Sequence, residues 1–165
     1  MEFLRQLEQS GFSSWVRESP SLLAYPTVLF LHTIGMGLLV GVNAGIDLRI
    51  LGFASGIPVA PLEKYFRFLW IGFWINAVSG SVLLAADATT KLTNPVFYVK
   101  MVFISLAIAD VYLIKKHVFR NPLVDKMPLS SNAKIIAATS LFFWLAATTA
   151  GRLMAYIGPV SGLSN

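Results

Sequence analysis

The chain contains no cysteine, which excludes disulfides, thiolate metal sites and haem attached through a CxxCH motif. Charge is scarce too: Asp, Glu, Lys and Arg make up 13% of the 165 residues, and histidine occurs twice. Against 56% hydrophobic residues and a mean hydropathy of +0.68, so few charges cannot cover the surface of an ordinary soluble domain. The net charge of +5 would suit a nucleic-acid partner, but the basic residues cluster in short gaps between apolar runs. That is the pattern of cytoplasmic membrane loops and not of a groove for phosphates, so no nucleic acid is expected. No signal peptide is expected at the N-terminus, since Glu2, Arg5 and Glu8 precede any long apolar run and no small-residue cleavage site follows.

What is present is a series of long apolar runs in a length suited to one domain. Residues 1–18 place Phe3, Leu4, Leu7, Phe12, Trp15 and Val16 at helical spacing among Arg and Glu, which predicts an amphipathic helix on the membrane surface. Gly11 and Ser13–Ser14 are expected to break it in two. The transmembrane domain is expected over 19–158 and a short tail over 159–165. Its first span starts at Ser19–Pro20 or at Pro26 and runs to Ala54, with about twenty almost unbroken apolar residues, enough to cross a bilayer core of about 30 Å. Pro61 opens the second, whose apolar stretch is Phe66 to Ala86, and a polar loop from Asp87 to Asn94 follows. Asn94–Pro95 caps the third, which runs through Phe97–Ile114 to Lys115–Lys116–His117 and stops at Asn121–Pro122. Ser130–Ser131 opens the fourth, expected to end at Ile157. The fold class is therefore all-α: a transmembrane four-helix bundle, up-down-up-down, with an N-terminal amphipathic surface helix.

Four spans put both termini on one side. Arg49, Lys64, Arg67, Lys115, Lys116, Arg120, Lys126 and Lys134 fall on the other side, and only Arg5, Arg17 and Lys91 fall with the termini. Eight against three in short loops predicts an inner-membrane protein with both termini periplasmic.

Ionisable residues at membrane depth are functional candidates. The first span carries His32, Met36, Asn43 and Asp47, and a bare face at Gly37, Gly41 and Gly45 that lets a neighbouring helix or a flat ligand approach closely. Asn76, with Ser79 or Gly80, lies on the second span, Lys100 and Asp110 on the third, and Thr148, Arg152 and Tyr156 on the fourth. With about 1.5 Å rise per residue, His32 and Arg152 fall in the outer half of the bilayer, Lys100 at its outer edge, and Asn76 and Asp110 near the midplane. His117 is expected about 20 Å from His32 by the same rise, too far for the two histidines to clamp one haem from both faces.

An outer-half cluster of His32, Arg152 and Lys100 with Met36 nearby suits a b-type haem. His32 would ligate the iron, Met or Lys would take the sixth position, and Arg152 would pair with a propionate. Without haem, His32 is expected to hydrogen-bond across the bundle to Asn76 or Thr148.

The run from Trp15 to Phe53 resembles the opening of an uncharacterised family of small bacterial four-helix inner-membrane proteins. The matching residues are Trp15, Arg17–Glu18–Ser19, Tyr25–Pro26, Leu31–His32, Asp47–Leu48–Arg49 and Leu51–Gly52. The stretch from Asn94 to Arg120 resembles that family's third helix, and with Gly151–Gly158 the likeness covers most of residues 15–157. It implies architecture and no activity. More distantly, His32 and Lys100 are similar to positions in the haem-associated four-helix protoporphyrinogen oxidases of the HemJ type and in copper-resistance membrane proteins of the CopD type. The likeness implies haem ligation for His32 and the family's lysine for Lys100. The chain departs from the oxidase pattern late in the third helix, where Asp110 and Val111 stand and no histidine occurs before His117.

The function expected is a haem b protein for electron transfer or a quinone- or porphyrin-linked redox step, with membrane lipids and a quinone as its small-molecule partners. The alternative is a cofactor-free accessory subunit that docks on other membrane subunits, or on its own copy, through the Gly37/Gly41/Gly45 face. Transport along an Asp110–Asn76 stripe ranks third, because four helices leave little room for a path.

Overall fold

The computed structural model describes residues 10–19, 21, 23–126, 128–154 and 156–157, without the side chains of Phe12, Arg17 and Glu18. The surface helix expected over residues 1–9 lies outside the described residues. Its continuation is α1, Gly11–Glu18, capped by Ser10, whose Oγ accepts from the Ser13 amide at 3.3 Å. Ser13–Ser14 therefore does not break the helix. Ser13 is buried, with Val16, on the side where α1 meets the second span, so its hydroxyl is held at a cap instead of competing for the backbone.

Four helices are long and apolar enough to cross a membrane. The first is α2, Tyr25–Leu51, with Pro26 in its first turn and Gly52 closing it at φ 111°, the left-handed conformation that frees glycine from a Cβ clash. The expected extension to Ala54 is lost to this cap. A 3-10 turn, Ala60–Tyr65, leads into α3, Phe66–Ala86. The Asp87–Asn94 loop contains a short helix, α4, Ala88–Thr93, which tucks Ala88 into the protein. Asn94 then caps α5, Pro95–Ile114, by accepting from the Val96 amide at 2.9 Å, and α5 runs on as a wider π turn, Lys115–Phe119. Ser130 caps α6, Ser131–Leu153. This last helix stops short of Ile157 because the chain turns so that the Ile157 carbonyl accepts from Asn94 Nδ2 at 2.5 Å, tying the end of α6 to the start of α5.

Two hairpins build the bundle. In α2–α3 the backbones touch: a Cβ on Gly35 would lie 2.7 Å from the Asn76 amide nitrogen, and one on Gly72 would lie 2.7 Å from that of Leu39. In α5–α6 the close residues are small as well, with Ala107 and Ala137 fully buried. Helices α2 and α6 join the hairpins, whereas α3 and α5 barely meet, so the circuit α3–α2–α6–α5 stays open along one side. Large side chains such as Phe30, Trp74, Val78 and Leu145 point outward, each at least 63% exposed. A greasy surface of this extent requires lipid around it, and the protein is a multi-pass integral membrane protein.

Candidate functional site

The open side of the bundle leads into a cavity of ≈ 330 Å³ whose walls come from all four spanning helices. Its lining is mostly apolar, from Leu39 and Phe73 at one end to Phe97 and Leu84 at the other. The polar groups on it include His32, Asn76, Lys100 and Thr148, with Met36 and Met101 among them. That volume is at the lower end of the usual range for ligand pockets, about 300–1,000 Å³.

His32 and Asn76 hold each other. The imidazole Nδ1 lies 3.1 Å from the Asn76 carbonyl oxygen, and Asn76 Nδ2 donates to the His32 carbonyl at 2.9 Å. Nδ1 also lies 3.1 Å from Ser79 Oγ, whose own hydroxyl donates to the Ile75 carbonyl at 2.6 Å. A carbonyl can only accept, and the Ser79 hydrogen is already committed. Nδ1 must therefore carry the proton, which leaves Nε2 of the neutral ring with a free lone pair. Room for the ring depends on Gly80, where a Cβ would come within 3.0 Å of His32 Cε1.

Lys100 enters the cavity from the first turns of α5, within electrostatic reach of His32 and in contact distance of Gly151. Among the described residues no carboxylate pairs with it. Arg152 is on the exposed surface of α6 and does not line the cavity, so the structure does not bring it to the place a propionate partner would need. The helical wheel misleads here by a single position: the neighbouring Gly151 faces inward against Lys100 and turns Arg152 away.

The other sequence candidates separate. Asp110 is buried and accepts from Thr139 Oγ1 of α6 at 2.9 Å, with no partner in common with Asn76, so these two form no continuous stripe. Asn43 and Asp47 turn from the cavity toward α6, where Asn43 Nδ2 donates to Asp47 Oδ2 at 2.5 Å and to Ser140 Oγ at 2.8 Å. Ser140 is a buried polar residue that sequence reasoning missed; a serine one helical turn from other small residues carries no local signal of burial. Gly37, Gly41 and Gly45 face outward with no atom within 4 Å of a Cβ, flanking a groove of ≈ 660 Å³ with Leu48, Phe53 and Tyr65. Close helix contact inside the chain falls instead to Gly35 and Gly72. His117 is exposed, with Nδ1 3.0 Å from the Leu113 carbonyl, as a residue at the rim should be.

Haem brings four equatorial nitrogens and asks the protein for axial ligands only. His32, the thioethers of Met36 and Met101, and Lys100, with which no carboxylate pairs among the described residues, line one cavity and are the residues that could hold such a group. Among the described residues no three His, Asp or Glu side chains gather as a ligand set for a bare metal ion. No family model, no curated protein and no solved structure matches this chain.

Proposed function

We propose that this multi-pass protein lies in the bacterial inner membrane with both termini periplasmic and binds a b-type haem in the cavity between its hairpins. The observation that carries the reading is the fixed tautomer of His32. A ligating histidine characteristically gives its other N–H to a backbone carbonyl, which orients the ring and raises the basicity of the free nitrogen. The Nδ1 contact to the Asn76 carbonyl is that arrangement.

When bound, haem supplies a one-electron couple. The chain's own residues do the rest. Asn76 and Ser79 hold the imidazole plane, Gly80 leaves space for it, and the apolar walls keep water from the ring. Lys100 of α5 and Met36 of α2 would be the other residues to hold the group, Lys100 through its charge and Met36 through its thioether. Such a site serves electron transfer or a redox step on a quinone or porphyrin drawn from the lipid phase. The decisive experiment is the absorption spectrum of detergent-purified protein from haem-replete cells, oxidised and reduced. A Soret band that disappears in His32→Ala supports the reading, and colourless protein overturns it.

A second reading rests on a different observation. The Gly37/Gly41/Gly45 face is uncovered, as a docking face of a cofactor-free accessory subunit would be. Colourless protein that co-purifies with another membrane subunit favours it.

A further inference from the structure

At the opposite end of the bundle from His32, two carboxyl groups are buried without a cation. Asp47 lies four residues before the end of α2 and is 0% exposed, and Asp110 lies four residues before the end of α5 at 8%. They flank one turn of α6: Thr139 donates to Asp110, and Ser140 is joined to Asp47 through Asn43. Among the described residues Asp47 Oδ1 is fully buried and has no hydrogen-bond donor within bonding distance.

The groups around the pair are few. Asn43 comes from α2, and Arg49, one half-turn beyond Asp47, gives its guanidinium to the carbonyls of Ser55 and Ile57. Helix α3 brings Phe66 and Leu69 to this end, with Lys115 lying over the Phe66 ring. Helix α6 brings Thr139 and Ser140, while Lys134 is exposed in the loop-facing cleft. Among the described residues no Lys or Arg pairs with either carboxyl. An uncompensated carboxylate in a dry interior is far more costly than a neutral acid, and two within reach of each other are worse.

We propose that Asp47 and Asp110 form a buried proton-binding site, one proton being held on the Asp47 carboxyl. A hydronium ion at the loop-bearing end gives up one proton: an O–H bond breaks on the hydronium, an O–H bond forms on the carboxyl, and water is released. A cleft of ≈ 380 Å³ between Arg49, Val59, Asp125 and Lys134 opens at this end and is lined in part by Ile50, about one turn of α2 from Asp47. A metal cation is the poorer occupant, because the group turned into the cluster between Asp47 and Ser140 is the Asn43 amide nitrogen, a donor and not a ligand. This inference stands apart from the haem reading, since it uses none of the residues of that cavity.

The test is infrared spectroscopy of the full chain in lipid nanodiscs at neutral pH, with ¹³C-labelled aspartate. The chain has four aspartates, and Asp87 and Asp125 are solvent-accessible, so a protonated-carboxyl band that shifts with the label reports the buried pair. The expected result is such a band in the wild type, lost in Asp47→Asn and kept in Asp87→Asn. Should Asp47→Asn not fold, Asp110→Asn makes the same assignment: it keeps the band if the proton is on Asp47, and its loss there overturns the proposal. Absence of the band, its persistence in Asp47→Asn, or its removal by sodium ions with a rise in melting temperature overturns the proposal; the last outcome identifies a sodium site.

Discussion

Asn76 and His32 exchange hydrogen bonds between two helices, each side chain bonding the other's backbone carbonyl. The exchange fixes the rotation of α2 against α3 at the level of the cavity. It also sets which nitrogen of the imidazole is left free. The two consequences come apart on mutation.

If haem is bound, His32→Ala abolishes the Soret band, because no other described histidine lies on the cavity. Lys100→Ala weakens haem retention, whereas Arg152→Ala and His117→Ala leave the spectrum unchanged, since both side chains lie outside the cavity. A spectrum that survives His32→Ala and is lost in His117→Ala would place the cofactor at the rim and refute the assignment.

Asn76→Ala removes the amide that donates to the His32 carbonyl but keeps the backbone carbonyl that orients the ring. Stability should fall by about 0.5–1.5 kcal/mol, the net worth of one such bond. Thermal unfolding in detergent measures it. The same variant should still bind haem, which separates the packing role of Asn76 from its role in orienting His32.

Gly35→Ala and Gly72→Ala should each destabilise by about 1–3 kcal/mol, because the added methyl meets backbone that cannot move aside without parting the helices. Gly41→Leu should leave the melting temperature of the isolated chain unchanged, its Cβ entering open space. Loss of a co-purifying subunit in Gly41→Leu, with normal stability, would establish that face as an interface.

Asp125 reaches across from the α5–α6 loop to cap the turn that starts the second span, its Oδ1 accepting from Val59 at 2.5 Å and its Oδ2 from Ala60 at 3.1 Å. Asp125→Ala leaves both amides without that partner and should cost about 0.5–2 kcal/mol, the range for loss of a helix cap. Denaturant or thermal unfolding checks this, with Asp125→Asn, which keeps one acceptor, falling between.

Reporter fusions at Asn165 test orientation. A reporter that works only after export should be active and one that works only in the cytoplasm silent, since Arg49, Lys64, Arg67 and Lys115 load the opposite ends of the spans. The reverse pattern turns the protein over and moves the His32 cavity to the cytoplasmic half.

The sequence by itself determined the four spans and most of their ends. Apolar length, Asn94–Pro95 and Ser130 act on neighbouring residues and survive in the structure at the same places, whereas the Gly52 cap ends the first span before the expected Ala54. Which face of each helix turns inward was decided only by tertiary packing. Helices α2, α3 and α5 are apolar around nearly their whole circumference, so local hydrophobicity barely distinguishes one rotation from another. The contacts that choose the rotation are between distant residues: Gly35 on the Asn76 backbone, Gly72 on Leu39, and Asn43 on Ser140. Those choices put Gly37, Gly41 and Gly45 outside, turned Arg152 from the cavity, and joined Asp47 to α6. A step of one residue along a helix rotates a side chain by about 100°, which is why a correct span can still carry a misplaced arginine.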